Sequence, residues 1–297
     1  MNNHPAISVV MPVYNSEKYV AQAIESILNQ NFSDFEFLII DDCSADNSLQ
    51  IIEYYKNSDS RIRLMTNETN LGNYPARQKA MKMARGKYIC VMDSDDVAMP
   101  ERLIKQFEFM EQNLDYVATG AFIHFLRPDG STMPFTRALN EKECKVRLLG
   151  DNVCTHPTVI MRSETLLKHK IQYNLQYQYA ADYDLMLQLT KKGKLGNMPL
   201  FLLQYRLHAK QISTSRYREQ QKYADKIRLG QLAQLDIVPT PCESELHLKL
   251  MARKSITDNE ISASEKWIDK ILQQNKKKSI LPQQQLEDFL KKEILAL

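Results

Sequence analysis

The stretch YICVMDSDD, residues 88–96, decides how this chain is read. Its first five residues, Tyr88 to Met92, are apolar and have the length of a buried strand. Three aspartates follow at once: Asp93, Asp95 and Asp96. Two carboxylates about 4 Å apart repel by roughly 4 kcal/mol at an effective dielectric near 20. A turn and a helix cap would use one of them, or two. Three need a further reason, and a hard divalent cation supplies it. Mg2+ or Mn2+ takes oxygen ligands, and Mg2+ is commonly held by one or two carboxylates together with substrate phosphates.

The segments before this strand show where the aspartates would lie. Residues 7–13 (ISVVMPV), 35–40 (FEFLII) and 61–65 read as three earlier strands. Helical spacing of apolar residues fills the intervals 17–30, 46–57 and 74–85, and a further helix spans 100–112, with Pro100 suited to its first turn. This alternation predicts an α/β fold with a mainly parallel central sheet and helices on both faces. Such sheets bind ligands at the carboxyl ends of their strands. Tyr14-Asn15, Asp41-Asp42, Asn67 to Asn70 and Asp93 to Asp96 would then share one edge.

Further strands are expected at 117–125, 158–161 and 200–205, with a helix at 182–191. From about 216 the pattern is helical, broken by Pro239-Thr240-Pro241. The expected division is a sheet domain over 1–215 and a helical C-terminal extension over 216–297, in which Trp267 and its apolar neighbours serve packing.

Composition sets limits. The chain has 297 residues, 43% hydrophobic and 25% charged, as in ordinary globular domains. The net charge of +3 argues against nucleic acid as a partner. Residues 216–297, with 15 Lys and Arg against 12 Asp and Glu, carry all of it, and Lys276-Lys277-Lys278 reads as a solvated helix face. The five cysteines form no CxxC pair, so a disulfide framework or zinc site is not expected. No leader is read in MNNHPA, and no apolar run is long enough to span a bilayer. The expected location is the cytoplasm, with peripheral contact at the inner membrane face left open. The 8 glycines include no GxGxxG and no GxxxxGK[ST] after a strand, so a phosphorylated ligand would be held by metal and side chains.

Four segments in order, VVMPVYN (9–15), IIDDCSADNS (39–48), NLGNYPARQKAMKMARGKYICVMDSDD (70–96) and AADYDLMLQL (180–189), resemble the family 2 glycosyltransferases, over roughly residues 7–210. The resemblance implies a GT-A fold and an inverting, metal-dependent transfer of sugar from a nucleotide-sugar donor, most often a UDP-sugar. The implied acceptor is a saccharide or a lipid-linked sugar, in bacterial surface polysaccharide or glycolipid assembly. It places Pro12, Tyr14 and Asn15 beside the nucleotide, Asp41 on the base, and Arg77 at the nucleotide. Gly72 would make the turn before the Arg77 helix. Asp93-Ser94-Asp95 becomes a DxD motif in which Asp95 is the principal metal ligand, Asp93 lies near the ribose or the metal, and Asp96 orients its neighbours or caps the next turn. Asp182 matches the general base, with Asp184 as the runner-up; where the family often has Glu-Asp, this chain has Ala181-Asp182. His208 (in QYRLHAKQIS) resembles a histidine that completes the metal site, and His156 (in CTHPTVIMR) one lining the acceptor side.

Each assignment has a plainer rival. Asp182 could be an N-cap, Asp41-Asp42 a turn, Arg77 an exposed helix arginine, and either histidine structural. Other functions are also open. A sugar-phosphate nucleotidyltransferase would need a Gly-rich signature near the first strand, which PVYNSEK lacks. A haloacid-type phosphatase would need its DxDx[TV] after the first strand, not the fourth. A nucleotide-sugar-binding protein without turnover would keep the same residues.

Overall fold

The computed structural model describes residues 4–209 and 211–295. The elements run β1 (Ile7–Val13), α1 (Val20–Leu28), β2 (Phe35–Asp41), α2 (Ser48–Ser58), β3 (Ile62–Thr66), α3 (Asn73–Met83), β4 (Tyr88–Val91), β5 (Val97–Ala98) and α4 (Arg102–Gln112). They continue with β6 (Tyr116–Leu126), β7 (Thr132–Phe135), α5 (Glu141–Arg147), β8 (Ile160–Arg162), α6 (Ser163–His169), α7 (Ala181–Thr190) and β9 (Lys194–Arg206). Helices α8 (Ile212–Ser215), α9 (Tyr217–Gly230), α10 (Pro241–Met251), α11 (Asp258–Lys278) and α12 (Gln283–Glu287) follow.

The strands form one sheet in the order β3-β2-β1-β4-β8-β6-β9-β5, with β7 beside β6. Strands β3, β2, β1 and β4 are parallel, as are β6 and β9. Strand β8 joins these two groups by antiparallel pairing with β4 and with β6. Strands β1, β2 and β4 are buried at every position, with both faces covered, whereas β3 at the edge is only partly buried. Alternate residues serve opposite faces. Val9, Met11, Phe37 and Ile39 pack with Ile24 of α1, Ile52 of α2 and Leu103 of α4. Val10, Leu38 and Ile40 pack on the other side with Ala76 and Ala80 of α3 and with Leu185, Met186 and Leu189 of α7.

Past residue 216 the chain is helical and gathers a further apolar cluster. Leu232, Leu235, Leu250, Trp267, Ile268, Ile271, Leu286 and Phe289 pack there with Val146 and Leu149. Trp267 is buried in this cluster, as packing requires, and Lys276 to Lys278 are exposed. Arg228 Nε donates to Gly150 O at 2.7 Å, and Arg147 pairs with Glu293 at 2.6 Å, so polar contacts also fasten these helices to the α5 segment. No helix among the described residues is long and apolar enough to cross a membrane.

Some boundaries differ from expectation. Helix α4 starts at Arg102, which leaves Pro100 ahead of the first turn. Thr158 lies in a 3-10 turn with His156 and Pro157, and the strand starts only at Ile160. Strand β9 begins at Lys194, well before the expected Leu200, and is kept in the sheet by register shifts against β6.

Candidate active site

The loop after β1 is pinned to the loop after β2 by short bonds. Asn15 adopts φ 48°, a left-handed conformation that asparagine tolerates better than most side chains. Its N–H donates to Ser44 Oγ at 3.0 Å, and its Oδ1 accepts from Ala45 N at 2.8 Å. Ser16 N donates to Ser48 Oγ at 2.8 Å, and Ser16 Oγ meets Ser94 Oγ, also at 2.8 Å. Pro12 is buried within β1, whereas Tyr14 is 49% exposed at its end.

Asp41 and Asp42 divide into two kinds of carboxylate. Asp42 accepts from Asn67 Nδ2 (2.7 Å), Leu71 N (3.0 Å) and Gly72 N (2.8 Å), so it organises the turn into α3. Gly72, at φ 93°, makes that turn. Asp41 Oδ2 accepts from Ser44 N at 3.1 Å, but its buried Oδ1 has no protein partner. A buried acceptor without a donor is costly unless a ligand supplies one.

After β4, each aspartate has its own environment. Asp93 Oδ1 accepts from Arg77 Nη2. Arg77 is not an exposed helix arginine: its side chain is fully buried, and its Nε and Nη1 lack partners. Burial pushes the Asp93 carboxyl up, against the pull of Arg77. Asp95 Oδ2 meets His208 Nε2 at 2.8 Å. Asp96 is buried, with Oδ1 accepting from Arg206 N at 2.9 Å and Oδ2 unpartnered. Its carboxyl is pushed well above the usual range by burial and by the charges of Asp95 and Asp93. Asp96 therefore does not cap the next turn; it locks the end of β9 onto the aspartate loop. Arg206 reinforces the lock, with Nε donating to Asp95 O at 2.8 Å and its guanidinium 4.8 Å from the Tyr19 ring centroid.

Asp182 reaches the same region from far along the chain. It lies in the first turn of α7, whose N-cap is Ala180, so it is not the N-cap. Its Oδ1 accepts from Tyr74 Oη at 2.7 Å and its Oδ2 from Asn152 Nδ2 at 2.8 Å. Tyr74 and Arg77 stand three apart on α3, hence on one face. One turn of helix thus touches both Asp93 and Asp182. Asp184 is two residues further, about 200° around the helix, and accepts from Gln188 Nε2 at 2.6 Å. His156 is buried with Nε2 against Tyr173 Oη at 2.8 Å. Burial, then Arg77, push its imidazole well below its ordinary range, so it is neutral.

The residues Pro12, Tyr14, Asn15, Asp41, Arg77, Asp93, Ser94, Asp95 and His208 are thus carried by β1, β2, β4 and β9 at or just past their ends and by α3, with Asp182 bonded to that helix. Sequence reasoning missed Tyr74, Asn152 and Arg206. Tyr74 stands three residues before Arg77, and that spacing was its one signal; Arg206 lies two residues before His208 in the quoted QYRLHAKQIS, and Asn152 gave no signal. Among the described residues, no group of three or more His, Cys, Asp or Glu side chains forms a protein-only metal cage. The Asp95 carboxylate and His208 imidazole, with Asp93 nearby in sequence, are a donor set that suits Mn2+ or Mg2+ completed by ligand phosphates.

Comparison with known proteins gives the class of protein that carries these residues. The model of glycosyl transferase family 2 matches residues 8–170. An uncharacterised glycosyltransferase of Methanocaldococcus jannaschii is 35% identical over 225 residues, covering 74% of this chain and 77% of that protein. The UDP-Glc:alpha-D-GlcNAc-diphosphoundecaprenol beta-1,3-glucosyltransferase of Escherichia coli is 30% identical over 231 residues, covering 74% and 84%. Among solved structures, S. aureus TarS 1-349 in complex with UDP-GlcNAc superposes with a TM-score of 0.65 at 18% identity, covering 98% of this chain and 88% of that one. A mannosyltransferase from Pyrobaculum calidifontis in complex with GDP-Man and Mn2+ gives 0.62 at 12%, covering 95% and 85%. The chain belongs to glycosyl transferase family 2 and has the GT-A fold.

Proposed function

We propose that this glycosyltransferase is inverting and metal-assisted. It moves a sugar from a UDP-sugar to a hydroxyl of a saccharide or lipid-linked acceptor, in the assembly of a bacterial surface polysaccharide or glycolipid. The observation that carries this reading is the single helical turn of α3 that bonds Asp93 through Arg77 and Asp182 through Tyr74. It sets a donor-side carboxylate and a candidate base side by side, although they are far apart in sequence.

The vacant lone pairs of Asp41 Oδ1 are matched to an N–H of the nucleotide base. Tyr14 and Asn15 border the nucleotide at the end of β1, Ser94 braces that loop through Ser16, and Asp93 faces the ribose or diphosphate. Asp95, Asp93 and His208 would hold the divalent cation, which when bound neutralises charge at the diphosphate. Asp182 accepts the proton of the acceptor hydroxyl as that oxygen attacks the anomeric carbon opposite the leaving diphosphate. Attack from that face inverts the configuration. The UDP donor and lipid-linked acceptor are supported by the Escherichia coli relative, and the cation by the Mn2+-bound neighbour as well as by the donor set here.

A nucleotide-release screen across UDP, GDP and dTDP sugars with Mn2+ tests the reading. Acceptor-dependent release from a UDP-sugar is expected. Nucleotide binding with no turnover of any donor would identify a binding protein instead.

A further inference from the structure

The carboxylate of Asp182 is gripped at both oxygens by side chains from two other parts of the fold. Tyr74 comes from α3 and Asn152 from the segment after α5. We propose that Tyr74 and Asn152 are positioning residues for the transfer: together they fix the rotamer of Asp182 and aim its free lone pairs at the acceptor hydroxyl. This rests on Asp182 being the base.

Each carboxylate oxygen can accept two hydrogen bonds. One donor on each oxygen therefore leaves one position apiece for substrate, while a torsional swing of the carboxylate breaks at least one bond. Both donors are themselves fixed. The Tyr74 ring packs against Tyr173 with centroids 5.1 Å apart and lies edge-on to His156 at 6.4 Å. Its phenol is held protonated by burial and by the Asp182 charge, so it remains a donor and does not compete for the proton. Asn152 Oδ1 accepts from Cys154 N at 3.1 Å, which obliges its amide N–H to face Asp182. The Asp182 charge acts in turn on Arg77, Asp93 and Tyr173. A base that must meet a hydroxyl within hydrogen-bond reach gains rate from such restraint, because small misplacements are costly.

The test uses the full chain with the donor that releases nucleotide fastest in the screen above. Tyr74→Phe keeps the ring and its packing, and removes only the donated bond. We expect Tyr74→Phe and Asn152→Ala each to lower kcat about 10- to 100-fold. Donor KM and the Kd for UDP should stay within about twofold, with the urea midpoint of Tyr74→Phe unchanged. In an Asp182→Asn background, Tyr74→Phe should cause no further loss, because its effect passes through that carboxylate. If Tyr74→Phe and Asn152→Ala both turn over like wild type while Asp182→Asn is inactive, the positioning role is wrong and the base assignment stands. The same role is refuted if Tyr74→Phe costs as much in the Asp182→Asn background as it does in the wild-type chain. If Asp182→Asn transfers sugar normally, the base assignment itself fails.

Discussion

Replacing Asp93 should harm the ligand-free fold more than replacing Arg77, although the two form one ion pair. The asymmetry follows from burial. The Arg77 side chain is 0% exposed, and that of Asp93 is 26% exposed. In Asp93→Asn the guanidinium loses its one ion-pair partner among the described residues and stays sealed, with Nε and Nη1 already unpartnered. Breaking a buried pair by removing one partner costs roughly 3–5 kcal/mol. The partial hydration open to Asp93 puts the estimate at the lower end, about 3 kcal/mol. In Arg77→Met the remaining carboxylate can draw in water, and the methionine fills most of the space, so the cost should be about 1–2 kcal/mol. The double variant should cost about the same as Arg77→Met alone, which is a coupling of about 3 kcal/mol. Urea denaturation of the four proteins without nucleotide or metal measures all three differences. The reasoning is refuted if Asp93→Asn is no less stable than Arg77→Met, or if the two costs simply add.

Three further outcomes follow from the same contacts. Asp182→Asn should bind UDP as wild type does and lose transfer by at least about 100-fold, measured as sugar incorporated into acceptor. Glu36 is buried and would be raised by that burial, yet Ser8, Arg63 and Arg85 together hold its carboxyl below its ordinary 4.5. A depressed folded value means stability that is present above the unfolded value and lost as pH falls through the folded one. Glu36→Gln should therefore destabilise at pH 7 by about 2–3 kcal/mol and flatten the urea midpoint against pH below 4.5. Gly86→Ala should lower the midpoint sharply, because a Cβ there would lie 2.5 Å from Ser8 N and 2.7 Å from Ile7 C, in backbone that cannot move aside.

The first group of strands was legible because β1, β2 and β4 are buried on both faces and read as solid apolar runs. Strand β9 was half legible. Its beginning contains Gly196, Asn197 and Pro199, residues that strand propensity disfavours. Gly196 is required there, since a Cβ would lie 2.6 Å from Leu139 O. Strands β5 and β7 gave no pattern: one has two residues, and the other is mostly exposed. Helices α5 and α6 have seven residues each, too short for a clear periodic signal. The strand-end residues were readable because a parallel sheet brings them to one edge. The bonds from Tyr74 and Asn152 to Asp182 were not, since they join residues 108 and 30 positions apart and depend on how α3 and α7 pack. Ala181 shows the same limit: it is fully buried at the start of α7, where the resemblance would have placed a carboxylate.

The most direct test of the central claim, that the end of β4 binds nucleotide diphosphate together with a divalent cation, is calorimetry with UDP in Mn2+ and in EDTA, on wild type and Asp95→Ala. The account predicts at least about tenfold tighter binding for wild type in Mn2+, and no Mn2+ dependence for Asp95→Ala. Equal Mn2+ dependence in the two proteins would contradict it.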